Sequence, residues 1–198
     1  MDKIYNILIV GVGGQGVILA SELLSEAAMA SGFDAKKSEV HGMSQRGGVV
    51  SSHIRFGKKV FSPLIPENQA DAVLAFEAAE GLRWAHQVSD TGLLVINDQQ
   101  IVPPIAFTKG VEYPEDPIGQ AKKQSKRVLA INALEIAHKI GNPKLVNTIL
   151  IGAISQELPI SPEIWEKTMR RLVPRGTEEQ NLAGFAEGVK LTREEVTA

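Results

Sequence analysis

The stretch Lys3-Ile-Tyr-Asn-Ile-Leu-Ile-Val10 runs straight into Gly11-Val-Gly-Gly-Gln-Gly16. An apolar, β-branched run thus meets a cluster of glycines, and helical spacing begins directly behind it. That order predicts a strand, a tight turn and a helix N-terminus, and it spells Gly11-x-Gly13-x-x-Gly16 in the right setting. Glycines let the backbone turn sharply and let a ligand or a neighbouring chain come close. Free N–H groups and the helix dipole then favour an anion.

Outward from this turn, Val17, Ala20, Leu24 and Ala27/Ala28 recur at helical spacing, with Gly32 placed as a stop. Phe33 to Val40 reads as a second strand that completes a right-handed β-α-β unit. His41-Gly-Met-Ser-Gln-Arg-Gly-Gly48 is a loop without apolar period. Val49 to Phe56 alternates, with Val50, Ile54 and Phe56 on one face and Ser51, His53 and Arg55 on the other. Gly57-Lys58 is expected to turn it into a hairpin with Lys59 to Phe61.

Further strands are predicted at Ala72–Phe76, Leu93–Asn97 and Val128–Ile131, with helices over Ala78–Val88 and Ile118–Ser125. Asp98 to Pro117 holds four prolines and reads as an excursion with short strands. Beyond Asn132 the chain is helical. Asn142-Pro143 opens a helix that is apolar on most sides, so it is either central or covered by a partner. Ser161-Pro162-Glu163 is expected to cap the next helix, and Thr177-Glu-Glu-Gln180 to form a capping box. The fold class is α/β: a Rossmann-like, mostly parallel sheet flanked by helices, with a β-hairpin excursion and a helical C-terminal third, in one domain over residues 1–198.

The 198 residues are enough for a core without disulfide staples. A net charge of −2 argues against non-specific nucleic-acid binding, although Phe33 to Val60 carries a local excess of +4. The sequence has no cysteine, which excludes disulfides, zinc ribbons, thiolate-held iron–sulfur clusters and cysteine nucleophiles. The uncharged run Ile4 to Ser21 is interrupted by glycines, Asn6 and Gln15, so it reads as a strand-to-helix switch and not a membrane or signal segment. The expected location is the cytoplasm.

Read as a dinucleotide site, the first loop wants an acidic residue at the end of the second strand. Glu39 lies near that place, but Lys36 and Lys37 precede it and the next strand looks like a hairpin arm. Tight packing of helix on strand explains the glycines equally well. The loop His41 to Gly48 offers an imidazole, the Ser44 hydroxyl, the Gln45 amide and the Arg46 guanidinium, and Arg46 suits a carboxylate or phosphate. His53, His86 and His138 have no second ligand at metal spacing. Lys122, Lys123, Lys126 and Arg127 read as a solvated helix end.

Together, Asn6-Ile-Leu-Ile-Val-Gly-Val-Gly-Gly-Gln-Gly-Val17 and Ser38-Glu-Val-His-Gly-Met-Ser-Gln-Arg-Gly-Gly-Val-Val-Ser-Ser-His-Ile-Arg-Phe-Gly57 resemble the gamma-type subunits of ferredoxin-dependent 2-oxoacid oxidoreductases. Within them, the second loop is most similar to the small (beta) subunit of indolepyruvate ferredoxin oxidoreductases. The resemblance implies a complex that decarboxylates a 2-oxoacid, reduces ferredoxin and releases an acyl-coenzyme A. Thiamine diphosphate and iron–sulfur clusters would sit in a large cysteine-rich alpha subunit, with coenzyme A as co-substrate.

On that view this chain carries no catalytic residue, metal or firmly bound cofactor, touches neither nucleic acid nor membrane, and alone could form a homodimer. Gly11, Gly13, Gly14, Gln15 and Gly16 are the candidate phosphate or partner contacts. Ser44, Gln45, Arg46, Gly47 and Gly48 are the candidates beside the partner's active site. The alternatives are a stand-alone NAD(P)- or flavin-binding protein and a nucleotide-binding regulatory module.

Overall fold

The computed structural model describes residues 3–42, 48–102 and 112–196. Within them, six strands form one sheet in the order β2-β3-β1-β4-β5-β6. The strands are β1 (Tyr5–Val12), β2 (Asp34–His41), β3 (Val49–Gly57), β4 (Ala70–Ala75), β5 (Val88–Asn97) and β6 (Val128–Ile131). β1, β4, β5 and β6 pair in parallel, whereas β3 runs antiparallel to both of its neighbours.

The helices are α1 (Val17–Ala30), α2 (Ala78–Trp84), α3 (Pro117–Gln124), α4 (Ala133–Ile140), α5 (Val146–Ser155), α6 (Pro162–Leu172) and α7 (Glu178–Val196). Because β1 is buried on both faces, its residues divide by parity between two cores. Ile7 and Ile9 join α1, α5 and α6 on one side. Leu8 and Val10 meet Ala78, Ala85 and Ala121 on the other. Each of these fully buried Ile, Leu and Val side chains of β1 contributes about 2 kcal/mol.

Three expectations about the strands change. The hairpin is not Val49–Phe56 with Lys59–Phe61, which is not a strand. β3 returns instead against β2, with His41 opposite Val50 and Asp34 opposite Gly57. The expected β-α-β unit is therefore split, since β3 lies between β1 and β2. The short strands foreseen between Asp98 and Pro117 are absent from its described residues, 98–102 and 112–117; residues 103–111 lie outside the described residues. The parity reading of β3 holds, with Val50, Ile54 and Phe56 all in the α1-side core.

α5 is buried from Asn147 to Ser155, and α7 of the same chain covers it. The two backbones touch through glycines: a Cβ on Gly152 would lie 2.2 Å from the Phe185 carbonyl oxygen, and one on Gly188 would lie 2.0 Å from that of Ile149. The apolar surface of α5 is thus central and needs no partner to cover it.

The capping expectations fail locally. Ser161 precedes α6 but its side chain accepts no N–H bond. Thr177 donates its hydroxyl to the Pro174 carbonyl and accepts from the Asn181 amide. Gln180 accepts instead from Asn142 at 2.9 Å, which ties the start of α7 to the α4–α5 connection.

Candidate functional site

The carboxyl ends of β1, β2, β4, β5 and β6 lie along one edge of the sheet, and the glycine turn sits at its middle. Gly16 caps α1 with φ 87°, a left-handed conformation that a side chain resists. Gly11 does a different job: a Cβ there would lie 2.9 Å from Phe76 Cβ, so it permits tight packing. Gln15 stitches the turn down. Its Oε1 accepts the Val12 N–H at 2.8 Å, and its Nε2 donates to the Phe76 carbonyl at 2.8 Å.

That carbonyl is shared. Fully buried Asn97 donates to it at 3.1 Å and to Gln99 Oε1 at 3.1 Å, while its own oxygen accepts the Ala133 N–H at 3.2 Å. One amide network therefore fixes the ends of β1, β4 and β5 and the start of α4. The neighbouring Glu77, 2% exposed, accepts from the N–H groups of Glu80 and Ile101 at 2.9 and 3.1 Å, and from the Tyr113 hydroxyl. Burial, then the Glu77 carboxylate, pushes the Tyr113 phenol well above its ordinary range.

The two glycine-rich loops meet. Val12 stands opposite Val49, and the Gly13 N–H donates to the Gly48 carbonyl at 2.9 Å. Ser44, Gln45, Arg46 and Gly47 lie outside the described residues. The basic excess nearby is largely answered within the chain. Lys36 and Lys59 pair with Asp34, Lys37 with Glu22 and Glu39, and Arg55 binds Asn6 and two carbonyls.

Against the first loop lies a cavity of about 590 Å³, lined by Gly13 to Gly16, Gln99, the Asn142–Asn147 connection and Thr177. Its Asn142–Asn147 wall was not foreseen from sequence. The one hint was the polar pair Asn147-Thr148 at the head of a mostly apolar helix, which does not say what the pair faces. Glu39 does not serve the glycine turn. It accepts from Ser21 at 2.8 Å and pairs with Lys37 at 3.0 Å, and inserted β3 sets it two strand spacings, roughly 10 Å, from β1. The ribose-binding carboxylate of a dinucleotide site is therefore out of place.

His53, half-buried, accepts the Ile65 N–H at 3.3 Å on Nδ1, and burial holds its pKa below the ordinary value. Among the described residues no three His, Asp or Glu side chains gather as a metal site. No described helix is long and apolar enough to cross a membrane.

The family model described as pyruvate ferredoxin/flavodoxin oxidoreductase matches residues 6–191. The chain belongs to this family. It is 38% identical over 200 residues to the indolepyruvate oxidoreductase subunit IorB of Thermococcus kodakarensis, covering 97% of this chain and 98% of that one. It is 37% identical to the Archaeoglobus fulgidus subunit of the same name, over 92% of each.

Its fold is similar to the gamma subunit of a keto/oxoacid ferredoxin oxidoreductase from Geobacter sulfurreducens, with TM-score 0.70 and 23% identity over 96% of this chain and 99% of that one. It also resembles part of a 2-oxoglutarate:ferredoxin oxidoreductase from Magnetococcus marinus, solved with 2-oxoglutarate, coenzyme A and succinyl-CoA bound. The TM-score there is 0.73 at 16% identity, over 98% of this chain and 32% of that one. In the family context the split sheet is a departure from a simple dinucleotide fold, and a stand-alone nicotinamide or flavin protein is not favoured.

Proposed function

We propose that this chain is the small subunit of a cytoplasmic, ferredoxin-dependent 2-oxoacid oxidoreductase whose substrates are aryl-pyruvates such as indolepyruvate. The reaction converts a 2-oxoacid anion and coenzyme A to acyl-CoA and CO2, releasing one proton and passing two electrons to ferredoxin. The full-length likeness to indolepyruvate oxidoreductase small subunits carries this reading.

The chemistry of the residues agrees with a division of labour. A chain without cysteine supplies no thiolate for an iron–sulfur cluster, and it lacks a Gly-Asp-Gly segment to begin a thiamine diphosphate motif. Those cofactors belong to a large, cysteine-rich partner, and this subunit supplies placement and electrostatics.

The joined edge of Gly13 and Gly48 faces that partner. Arg46 on the second loop contacts a carboxylate, a phosphate or an acidic partner residue, and Gln45 orients it. Co-expression with a cysteine-rich large subunit tests the reading. A stable brown complex is expected, in which Arg46→Ala lowers turnover or assembly. Separate elution of the two chains would refute it.

A further inference from the structure

The end of the sheet farthest from the glycine turn carries a loop that turns two large apolar side chains outward. After β3 the chain runs Gly57-Lys-Lys-Val-Phe-Ser-Pro-Leu-Ile-Pro66. Val60 and Ile65 are buried, whereas Phe61 is 89% exposed and Leu64 56%. Phe61 is the most exposed large apolar side chain among the described residues.

The loop is firmly held. Asp34 Oδ2 accepts the Val60 N–H at 3.0 Å, and His53 Nδ1 accepts the Ile65 N–H at 3.3 Å. Arg55 donates through one guanidinium nitrogen to the Ser62 and Leu64 carbonyls at 3.0 and 3.2 Å. Ser62 Oγ accepts the Leu64 N–H at 3.3 Å, and Pro63 and Pro66 restrict the backbone further. Two buried anchors and a bonded backbone thus fix Phe61 and Leu64 in water before any partner arrives. A preorganised apolar pair loses little freedom when it docks, which is what an interface anchor needs.

The charges around the pair select its occupant. Residues 57–66 hold Lys58 and Lys59 and no carboxylate, and the single carboxylate of Asp34 serves both Lys36 and Lys59. A two-fold contact with a second copy would set these lysines against themselves, so the fitting occupant is a different chain with carboxylates around an apolar pocket. The nine residues of β3 place the loop roughly 25 Å from the glycine edge. The face of β2 that carries Lys36 leads back to that edge, where Val40 is 57% exposed. We infer that Phe61 and Leu64 are a second docking point of this chain, inserted into an acidic-rimmed apolar pocket of the large partner subunit. The inference rests on the proposal of such a partner and extends its contact to the opposite end of the sheet.

Hydroxyl-radical labelling read by mass spectrometry tests it on the co-expressed complex and on the isolated chain. Phe61 should be labelled in the isolated chain at every concentration and protected in the complex. Phe61→Ser and Leu64→Ser alter only exposed positions, so they should leave urea unfolding unchanged yet weaken the complex roughly ten- to a hundredfold on dilution. Lys59→Glu should weaken it too and flatten its salt dependence. Failure of the two wild-type chains to form a complex would refute the subunit reading and the inference with it. A wild-type complex in which Phe61 stays labelled, or folded Phe61→Ser that binds as tightly as wild type, would overturn the inference alone. Protection of Phe61 in the isolated chain as its concentration rises would give the surface to a second copy, and would overturn it as well.

Discussion

The Gly13 amide donates to the Gly48 carbonyl across 2.9 Å, which joins two loops separated by a helix, a strand and a turn. The antiparallel insertion of β3 makes the contact, because its first residue, Val49, stands opposite Val12. Two features that look separate in sequence are thereby one edge, and the polar loop from His41 to Gly48 starts and finishes on it.

That edge depends on Gln15. Gln15→Leu leaves the Val12 N–H without its acceptor and removes one of the two amide donors to the Phe76 carbonyl. Urea unfolding should show a loss of about 1–3 kcal/mol, the cost of an unsatisfied buried group, with an unchanged denaturant slope. Wild-type stability in this variant would mean that the turn holds without the stitch.

Glu77 closes the next part of the edge, holding the α2 N-terminus, Ile101 and Tyr113 at once. Glu77→Ala should cost about 3 kcal/mol, as it frees a cap and two further donors. Tyr113→Phe removes only one of these bonds and should cost about 1 kcal/mol. Equal losses in the two variants would show that Tyr113 alone carries the clasp.

The α5–α7 seam offers a packing test. At Gly152 a methyl group would meet the Phe185 backbone, and a backbone cannot rotate away as a side chain does. Gly152→Ala should destabilise by about 3 kcal/mol. Gly176, also in the C-terminal part, has φ 83° with open space around it, so Gly176→Ala meets only the left-handed penalty of about 1–2 kcal/mol. The reverse order would contradict the close approach of α5 and α7.

Two carboxyl groups set opposite pH trends. The Lys36 hydrogen bond, and after it the Val60 N–H, holds the Asp34 pKa at about 2. Its stabilisation is therefore present above the ordinary carboxylate value and is lost as pH falls from about 4 towards 2. Burial raises the Glu80 pKa, Glu77 adds to the rise and Arg83 opposes it. Folding thus favours the protonated Glu80, and its contribution weakens as pH climbs from the ordinary value through the raised one. Asp34→Asn should flatten the acid limb of a stability–pH curve measured by urea unfolding, and Glu80→Gln should lessen the decline from pH 4.5 towards neutrality. Curves parallel to wild type would refute both assignments.

Much of this arrangement was legible in the residues, for physical reasons. Apolar Ile7 to Val10 before Gly11 and the alternation of Val50, Ile54 and Phe56 are local patterns, and both survive folding. The partner of β3 was not legible. Gly57-Lys58 looks like a two-residue turn, but strand pairing is decided by long-range burial, and the longer loop from Gly42 to Gly48 is the real hairpin connection. The Thr177 capping box failed for a similar reason, because Asn142 from a distant turn claims Gln180. The Asn142–Asn147 wall of the cavity was not legible either, because only the packing of α5 brings it against the glycine turn.

Reduction of ferredoxin by the assembled complex tests the account most directly. Indolepyruvate- and coenzyme A-dependent reduction should require both the large partner and this chain, and each alone should give none. Full turnover by the partner without this chain, or 2-oxoacid oxidation by this chain alone, would contradict the account.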